Sequence, residues 1–495
     1  MSAGIDYKSL YEEKSKAFDA LQLTVISLQH QLTQLQKMIF GSRHERFVAD
    51  SNPSQLSLDI TAEPEAACSV VDTKKISYTR TKLKAETAAI PHPGRMKLPE
   101  SLRRDVIVIE PSVDITGYRK IDEQITEVLE YEPGELYVKQ YRRAKYAKPN
   151  NEGIVIGSLP CRPLEKAMAG EGLLAQIVTD KYIDHLPLHR QMQRFERAGV
   201  KLAYSTLSDW VSGTCQLIAP LFEALKSEVL QSNYLHADET PIKVMDRSKK
   251  GETHRGYFWV YQNSIDKIVL FDYQEGRGRE GPVEILKDFK GYLQTDGYVA
   301  YDIFAKRQGI TLIHCMAHAR RMFNDALDND EARASHALQE IQKLYAIERI
   351  YKEQQLIFDE RKALRQLKSV PILRQLGSWL QEHYMQVLPK SAIGKAIAYS
   401  LERWERLSAY AGDGQLNIDN NPVENSIRPV ALGRKNYLFA GSHEAAKRNG
   451  MLYSLLGTCK MHGIDPYTWL KDILGQIADH PVNKIQDLLP HRYKK

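Results

Sequence analysis

Near the N-terminus, apolar residues recur at alternating spacings of three and four within a largely polar stretch. Two sets repeat every seven positions, the second three residues after the first: Phe18, Val25, Leu32 and Ile39, then Leu21, Leu28 and Leu35. This heptad pattern is typical of a parallel two-stranded coiled coil. A single amphipathic helix packed on its own domain is the alternative, because only about three heptads are present. We predict a coiled-coil dimerisation segment over residues 1–47, which makes the protein a homodimer or a higher oligomer.

The heptad pattern is followed by a stretch with little periodicity, and after that stretch apolar residues recur with the period of two that is typical of strands. Residues 48–95 are rich in Ser, Thr, Ala, Pro and Lys, a composition that predicts a flexible linker. Three β-prone runs follow, at 106–109, 124–129 and 136–141. We therefore predict a small β module over residues 96–165.

Residues 166–230 show helical spacing instead. The apolar face of a first helix contains Leu173 and Ile177, a second helix begins near Leu188 and ends near Gly199, and a third begins at Ser205 as its cap. Helix, Gly-containing turn, helix is the outline of helix-turn-helix DNA readers, although helical hairpins without DNA function share it. This helix-turn-helix-like region offers four candidate DNA contacts: Arg190, Arg194, Ser205 and Thr206.

From residue 231 the period becomes strand-like again. We predict strands at 234–238, 256–261 and 267–272, a helix over about 281–289, and two further strands at 291–296 and 311–314. This order is that of an RNase H-like mixed sheet, in which the first and fourth strands are neighbours. The first part of an α/β catalytic core is therefore predicted over residues 231–327.

Acidic residues follow two of these strands. Asp238 ends the first strand and Asp296 the fourth, so their carboxylates should approach each other. Neighbouring carboxylates repel unless a cation lies between them, and Mg²⁺ is a hard, oxygen-liganded ion suited to that position. Glu424, near a helix start where Asn421 could be the cap and Pro422 the first residue, is the best third ligand. We predict Asp238, Asp296 and Glu424 as the catalytic and metal-binding residues, with Mn²⁺ able to replace Mg²⁺.

Some assignments stay open around these three residues. Glu239 and Asp419 could stand in for a member of the triad, and strand-end carboxylates can also be exposed and inert. Cys315 and His318 form a lone Cys-x-x-His pair, which we interpret as packing residues because two ligands do not make a tetrahedral zinc site. The segment that carries Glu424 adds three candidate contacts to DNA phosphates: Arg428, Arg434 and Lys435.

Composition excludes some classes of protein but does not identify the function. The chain has 495 residues, too many for one compact core, and its 43% hydrophobic and 26% charged content is typical of soluble proteins. A net charge of +6 permits nucleic-acid binding without requiring it. The five cysteines include no Cys-x-x-Cys pair, which argues against a disulfide framework and a cysteine-rich zinc site. Because no signal-peptide pattern or long apolar run occurs, we expect a cytoplasmic protein with no membrane partner, associated with the nucleoid when bound to DNA.

Six blocks of sequence resemble the signature blocks of the insertion sequence 66 (IS66) family of DDE transposases. In chain order they are KYIDHLPL (181–188), HADETP (236–241), QTDGY (294–298), CMAHARR (315–321), DNNPVE (419–424) and ALGRKNYLFAG (431–441). The resemblance implies an RNase H-like core that cuts and rejoins DNA at element ends, with magnesium held by Asp238, Asp296 and Glu424. It also implies a long helical insertion before the third carboxylate, which we place at 328–415. The final part of the core then spans 416–445, and a C-terminal helical region spans 446–495.

One departure from the family pattern concerns zinc. Many members carry a small cysteine-rich zinc module where this chain has the 96–165 segment, but the stretch 92–150 contains no cysteine, so we expect no zinc there. The implied partners are the terminal inverted repeats of the element, target DNA and accessory proteins of the same element. A decayed, non-catalytic dimeric DNA-binding protein of the same fold is the main alternative, and another RNase H-like nuclease such as a junction resolvase is a second.

Overall fold

The computed structural model describes residues 98–493, apart from 99, 101, 113–114, 117–118, 133, 149–152, 166 and 247–250. The described residues belong to one compact unit, His92–Lys495. The predicted coiled coil (1–47) and linker (48–95) lie outside the described residues, so both stay predictions. The described fold is mixed α/β.

A small sheet comes first in the described chain. Its strands are β1 (Arg104–Val108), β2 (Arg119–Glu132), β3 (Glu135–Ala147) and β4 (Ile154–Ile156). β3 pairs in parallel with β1 and antiparallel with β2 and β4. The sheet is joined to the next helix through Glu130, whose buried carboxylate accepts a hydrogen bond from the Leu173 N–H at 2.9 Å.

Three helices follow: α1 (Glu171–Tyr182), α2 (Leu188–Arg197) and α3 (Tyr204–Leu230). Gly199 has a φ of +83°, which suits the turn between α2 and α3. The prediction that Ser205 caps the third helix was wrong, because the cap lies two residues earlier, at Ala203, and has no side-chain hydrogen bond. Leu202 and Leu207 are both buried, so packing fixes the entry of the chain and outweighs a cap worth about 1 kcal/mol.

The large sheet contains five strands: β5 (Tyr234–Met245), β6 (Thr253–Asn263), β7 (Ile268–Gln274), β8 (Gly291–Thr295) and β9 (Ile310–His314). Their order is β7-β6-β5-β8-β9, with antiparallel pairing up to β5 and parallel pairing from β5 to β9. The first and fourth strands are therefore neighbours, as the sequence predicted. Helix α4 (Glu280–Ile285) precedes β8 and is shorter than expected.

The segment after β9 is helical. It contains α5 (Met316–Asn324), α6 (Glu331–Glu353), α7 (Phe358–Leu364), a π-helical turn (Arg365–Ser369), α8 (Val370–Tyr384), α9 (Ala392–Glu402) and α10 (Trp404–Ser408). These helices surround a hydrophobic cluster that also includes Tyr234 of β5 and Ile313 of β9. The cluster therefore attaches the helical segment to β5, which carries Asp238, and to the edge strand β9.

Next come α11 (Asn421–Tyr437), α12 (His443–Met461) and α13 (Pro466–Gln476), followed by two 3-10 turns, Val482–Leu488 and Pro490–Arg492. α12 covers β7, the edge strand, since the hydroxyls of Ser454 and Thr458 accept hydrogen bonds from the N–H groups of Phe271 and Val269. Gly450 permits this approach, because a Cβ there would lie 2.7 Å from the Phe271 carbonyl oxygen. Within the described residues, no helix is long and apolar enough to cross a membrane.

Candidate active site

The large sheet brings Asp238 and Asp296 to neighbouring positions. β5 and β8 are parallel, and their last register pair joins His236 to Gln294. Two residues further along each chain are Asp238 and Asp296, so the two carboxylates leave adjacent strands at the same level. This is the approach that the strand order predicted.

Asp238 does not end its strand, and that part of the prediction was wrong. β5 continues to Met245, and Asp238 is paired with Val260 of β6. β8, by contrast, stops at Thr295. Beyond His236, β5 is therefore no longer paired with β8, but its other edge stays paired with β6 as far as Met245.

Backbone amides hold both aspartates in place. The Glu239 N–H donates to Asp238 Oδ1 at 2.8 Å, and the Tyr298 N–H donates to Asp296 Oδ1 at 2.8 Å. Burial raises the pKa of Asp238 well above its ordinary value, and the carboxylates of Asp296, Glu239 and Glu424 raise it further. These groups are therefore close enough to repel one another.

Glu424 reaches the site from the first turn of α11, where the helix N-terminus favours a negative charge. Its Oε1 atom is buried without a hydrogen-bond partner, and His318 Nδ1, also without one, lies 4.0 Å away. Among the described residues, no Lys or Arg forms an ion pair with Asp238, Asp296 or Glu424. Carboxylates gathered without a Lys or Arg partner fit a hard divalent cation such as Mg²⁺.

Two asparagines and a histidine fix the segment before α11. Asn417 Nδ2 donates to His236 Nε2 at 3.1 Å, so the ring proton is on Nδ1, which donates to Asn420 Oδ1 at 2.9 Å. Burial lowers the pKa of His236 to about 4, in keeping with the neutral ring that these contacts require. The segment is thereby bonded to β5 two residues before Asp238.

Asn420 makes two further contacts. Its side chain donates to the Ala237 carbonyl at 2.9 Å, and its backbone N–H donates to Cys315 Sγ at 3.1 Å. Asn420, rather than the expected Asn421, occupies the cap position of α11, with its side chain turned toward the sheet. These contacts link the start of the helix that carries Glu424 to the strand that carries Asp238.

Cys315, His318 and Glu424 form a cluster in which one potential ligand atom from each lies within 4.8 Å of the others. Cys315 Sγ already accepts the Asn420 N–H, and burial raises the pKa of the thiol above its ordinary value. A closed tetrahedral zinc site uses four ligands, and this cluster offers three. The arrangement therefore leaves His318 beside Glu424 and gives Cys315 a packing and hydrogen-bonding position.

The two stand-in carboxylates have partners of their own. Arg277 Nε donates to Glu239 Oε1 at 3.0 Å. Asp419 accepts the Asn421 N–H at 3.2 Å and the Asn421 side chain at 2.9 Å. Neither residue is as free to bind a cation as Glu424.

The candidate DNA contacts divide into free and engaged side chains. Arg194 forms an ion pair with the buried Asp180, and Arg434 donates to the Pro241 carbonyl, so both are held by the protein. Thr206 is half-buried. The remaining candidates are exposed: Arg190, Ser205, Arg428 and Lys435.

Four residues around the site were not selected from the sequence: Asn417, Asn420, Arg277 and Tyr298. Asn420 and Tyr298 lie inside the blocks DNNPVE and QTDGY, where their polar side chains were a usable signal. Arg277 lies in the run Gly-Arg-Gly-Arg at 276–279, whose glycines mark a loop that could approach the site.

Three models of known protein families match parts of this chain. A model described as "Transposase IS66 family" matches residues 166–448, and one described as "IS66 C-terminal element" matches 454–491. A third, "Transposase C of IS166 homeodomain", matches 27–107. The matches support a transposase role. The chain belongs to the IS66 transposase family, whose main model covers more than half of its length.

Full-length relatives occur in Sinorhizobium fredii. The uncharacterized protein y4hP is 31% identical over 507 residues, covering 95% of this chain and 89% of the relative. The uncharacterized protein y4jD is 30% identical over 509 residues, covering 98% of both chains. Similarity therefore extends along almost the whole length of these proteins.

Proposed function

We propose that this chain is a DDE transposase that binds the ends of its insertion element and catalyses metal-dependent DNA cleavage and strand transfer. What supports the proposal is that Asp238 and Asp296 leave neighbouring strands and that Asp296 and Glu424 raise the pKa of Asp238, while no described Lys or Arg pairs with any of the three. The strand order β7-β6-β5-β8-β9 fits an RNase H-like core. Membership of the IS66 family favours transposition over other reactions of such a core.

The three carboxylates would hold Mg²⁺, and Mn²⁺ would substitute because it also accepts carboxylate and water ligands. Bound there, the ions would activate the attacking water or 3′-hydroxyl and stabilise the leaving oxygen of the displacement. The protein's own contribution is orientation. The amides of Glu239 and Tyr298 fix the two aspartates, and Asn420 fixes the start of the helix that presents Glu424.

DNA would approach this site along α11. Arg428 and Lys435 are exposed on that helix, and charged side chains of this kind position a duplex by contacting its phosphates. Arg190 and Ser205 offer a second set of contacts on α2 and α3. The partners are the terminal inverted repeats, target DNA, a second copy of the chain and accessory proteins of the element.

The test uses the full chain, the two ends of its own element, a target plasmid and Mg²⁺, with and without the accessory proteins. Wild type should nick the element ends and join them to the target. Asp238→Asn should reduce both reactions by about three orders of magnitude while still binding the ends. Asp288→Asn, which removes an exposed carboxylate of the same domain, should leave both reactions unchanged.

Two outcomes would replace the proposal. Wild type that binds element ends but neither cuts nor joins them would support the non-catalytic DNA-binding protein. Wild type that cuts branched DNA without joining ends to a target would support a junction resolvase.

A further inference from the structure

A short loop between β7 and α4 lies against the site without any assigned task. Its sequence from 275 to 279 is Glu-Gly-Arg-Gly-Arg, and every residue in it is exposed. From this loop the guanidinium of Arg277 reaches the sheet beside the aspartates, where it pairs with Glu239. Its neighbour Arg279 has the same charge and shares the loop.

Arg277 is held by the two residues whose amides support the aspartates. Glu239 donates its N–H to Asp238 and accepts two hydrogen bonds from the Arg277 guanidinium with its side chain. Tyr298 donates its N–H to Asp296, and its ring lies under the guanidinium, 4.1 Å from ring centroid to Cζ. The Tyr298 hydroxyl also donates to the Arg277 carbonyl at 3.2 Å. The Arg277 guanidinium thus contacts both the residue that orients Asp238 and the residue that orients Asp296.

The pairing leaves half of the guanidinium available. Both described hydrogen bonds go from Nε and Nη2 to a single oxygen, Glu239 Oε1. Nη1 has no hydrogen bond within the described part of the chain, and the Arg277 side chain is 47% exposed whereas that of Glu239 is 3% exposed. An arginine has five N–H donors in a planar fork, so its outer edge can still bind an anion.

Neutralising the buried Glu239 carboxylate accounts for the ion pair, but it does not account for the one-sided geometry of that pair. The geometry also leaves Glu239 Oε2 buried without a hydrogen-bond partner, which costs stability. A pair placed only for folding would use both carboxylate oxygens in the bidentate geometry that arginine favours.

We infer that Arg277 contacts a DNA backbone phosphate next to the one cut at Asp238 and Asp296, with Glu239 and Tyr298 fixing its guanidinium. This inference rests on the proposed strand-transfer function. DNA supplies the anion, since the outer edge of the fork matches a phosphate in a bidentate manner. Ring stacking and the inner hydrogen bonds order the side chain in advance, so little freedom is lost on binding.

The test compares Arg277→Gln with Arg279→Gln, which removes the same charge two residues away. Binding of a duplex element end is measured in Ca²⁺ over a series of salt concentrations, and nicking is measured in Mg²⁺. Arg277→Gln should reduce the slope of log K against log salt by about one and lower nicking at least tenfold. Arg279→Gln should leave the nicking rate at the wild-type value.

A further variant separates a phosphate contact from a structural one. Arg277→Lys keeps the charge but loses the fork and the stacking, so it should keep the salt slope and still nick more slowly than wild type. If Arg277→Gln does not fold, the nicking rate of Arg277→Lys decides. The inference would be overturned if Arg277→Gln kept both the salt slope and the nicking rate of wild type. It would also be overturned if Arg277→Lys nicked at the wild-type rate. Absence of nicking by wild type would instead overturn the proposed function.

Discussion

At the scale of single residues, the electrostatics of the site centre on Asp238. Its carboxylate is buried near Asp296, Glu239 and Glu424, and its described hydrogen bond comes from one backbone amide. Like charges gathered without a cation destabilise the folded state, and functional sites often accept such a cost. The chain should therefore be less stable without a divalent cation than with one.

Asp238→Asn should increase the free energy of unfolding in EDTA by about 1–2 kcal/mol, because it removes a charge and keeps the side-chain shape. Mg²⁺ should stabilise wild type, because the proposed site would bind it in the folded state only, but it should have little effect on the variant. Urea unfolding followed by circular dichroism, with and without Mg²⁺, measures both effects. A variant less stable than wild type in EDTA would show that repulsion does not dominate.

His314 makes a second residue-scale prediction, on pH. It ends β9 with 1% of its surface exposed, and neither ring nitrogen has a hydrogen-bond partner among the described residues. Burial lowers the pKa of His314 to about 3, assisted by the charges of Arg406 and Arg403. Between pH 6.5 and 3 the unfolded chain therefore binds a proton that the folded chain excludes, so stability falls as pH decreases through this range.

His314→Leu should remove that pH dependence. From pH 6.5 to pH 5, wild type should lose roughly 2 kcal/mol more unfolding free energy than the variant. Urea unfolding at several pH values gives the comparison. His189→Leu, on an exposed histidine of α2, is the matched control and should follow wild type. Parallel curves for wild type and His314→Leu would contradict a neutral, buried imidazole.

At the scale of elements, the helical segment contributes to the placement of the third carboxylate. Glu348 of α6 forms ion pairs with Arg361 of α7 and the fully buried Arg365. The two arginines then donate to carbonyl oxygens in the segment 410–416, and Arg361 Nη2 lies 3.4 Å from Asn417 Oδ1. These contacts support the stretch that leads through Asn420 to α11.

Glu348→Ala should leave two guanidinium groups buried without a counter-ion and cost about 3–5 kcal/mol of unfolding free energy. Glu348→Gln, which keeps one acceptor oxygen, should cost less. Glu353→Ala, at the exposed end of the same helix, should change stability by less than about 0.5 kcal/mol. Chemical denaturation of the three variants is the measurement, and equal effects of Glu348→Ala and Glu353→Ala would contradict the supporting role.

The same elements show how far the sequence could be interpreted. β5 and β8 were predictable from strand-like runs that end in polar residues, and their adjacency followed from the order of strands and helix. The end of β5 was not predictable, because the strand beyond Asp238 is kept extended by β6 and by a bridge from Val244 to Ala440, which are tertiary contacts. The hydrogen bonds from Asn417 and Asn420 to His236 were also not predictable from the sequence, because they join residues more than 180 positions apart.

At the scale of the whole molecule, the described unit and the N-terminal segment raise separate questions. Residues 92–495 form a compact unit with its own hydrophobic core, so this part should fold without residues 1–91. The relative y4jD is similar over 98% of both chains, so the N-terminal segment belongs to the shared length. Self-association through the heptad repeats of that segment stays a prediction.

Leu28→Glu combined with Leu35→Glu should convert the full chain from a dimer to a monomer, because charges at two d positions are incompatible with a coiled-coil seam. Ser27→Glu with Gln34→Glu adds the same charge at outward positions of the same heptads and should leave the dimer intact. Sedimentation equilibrium measures the mass, and circular dichroism checks that the unit 92–495 stays folded. A dimer that survives the Leu28 and Leu35 substitutions would move the contact between copies away from the N-terminal heptads.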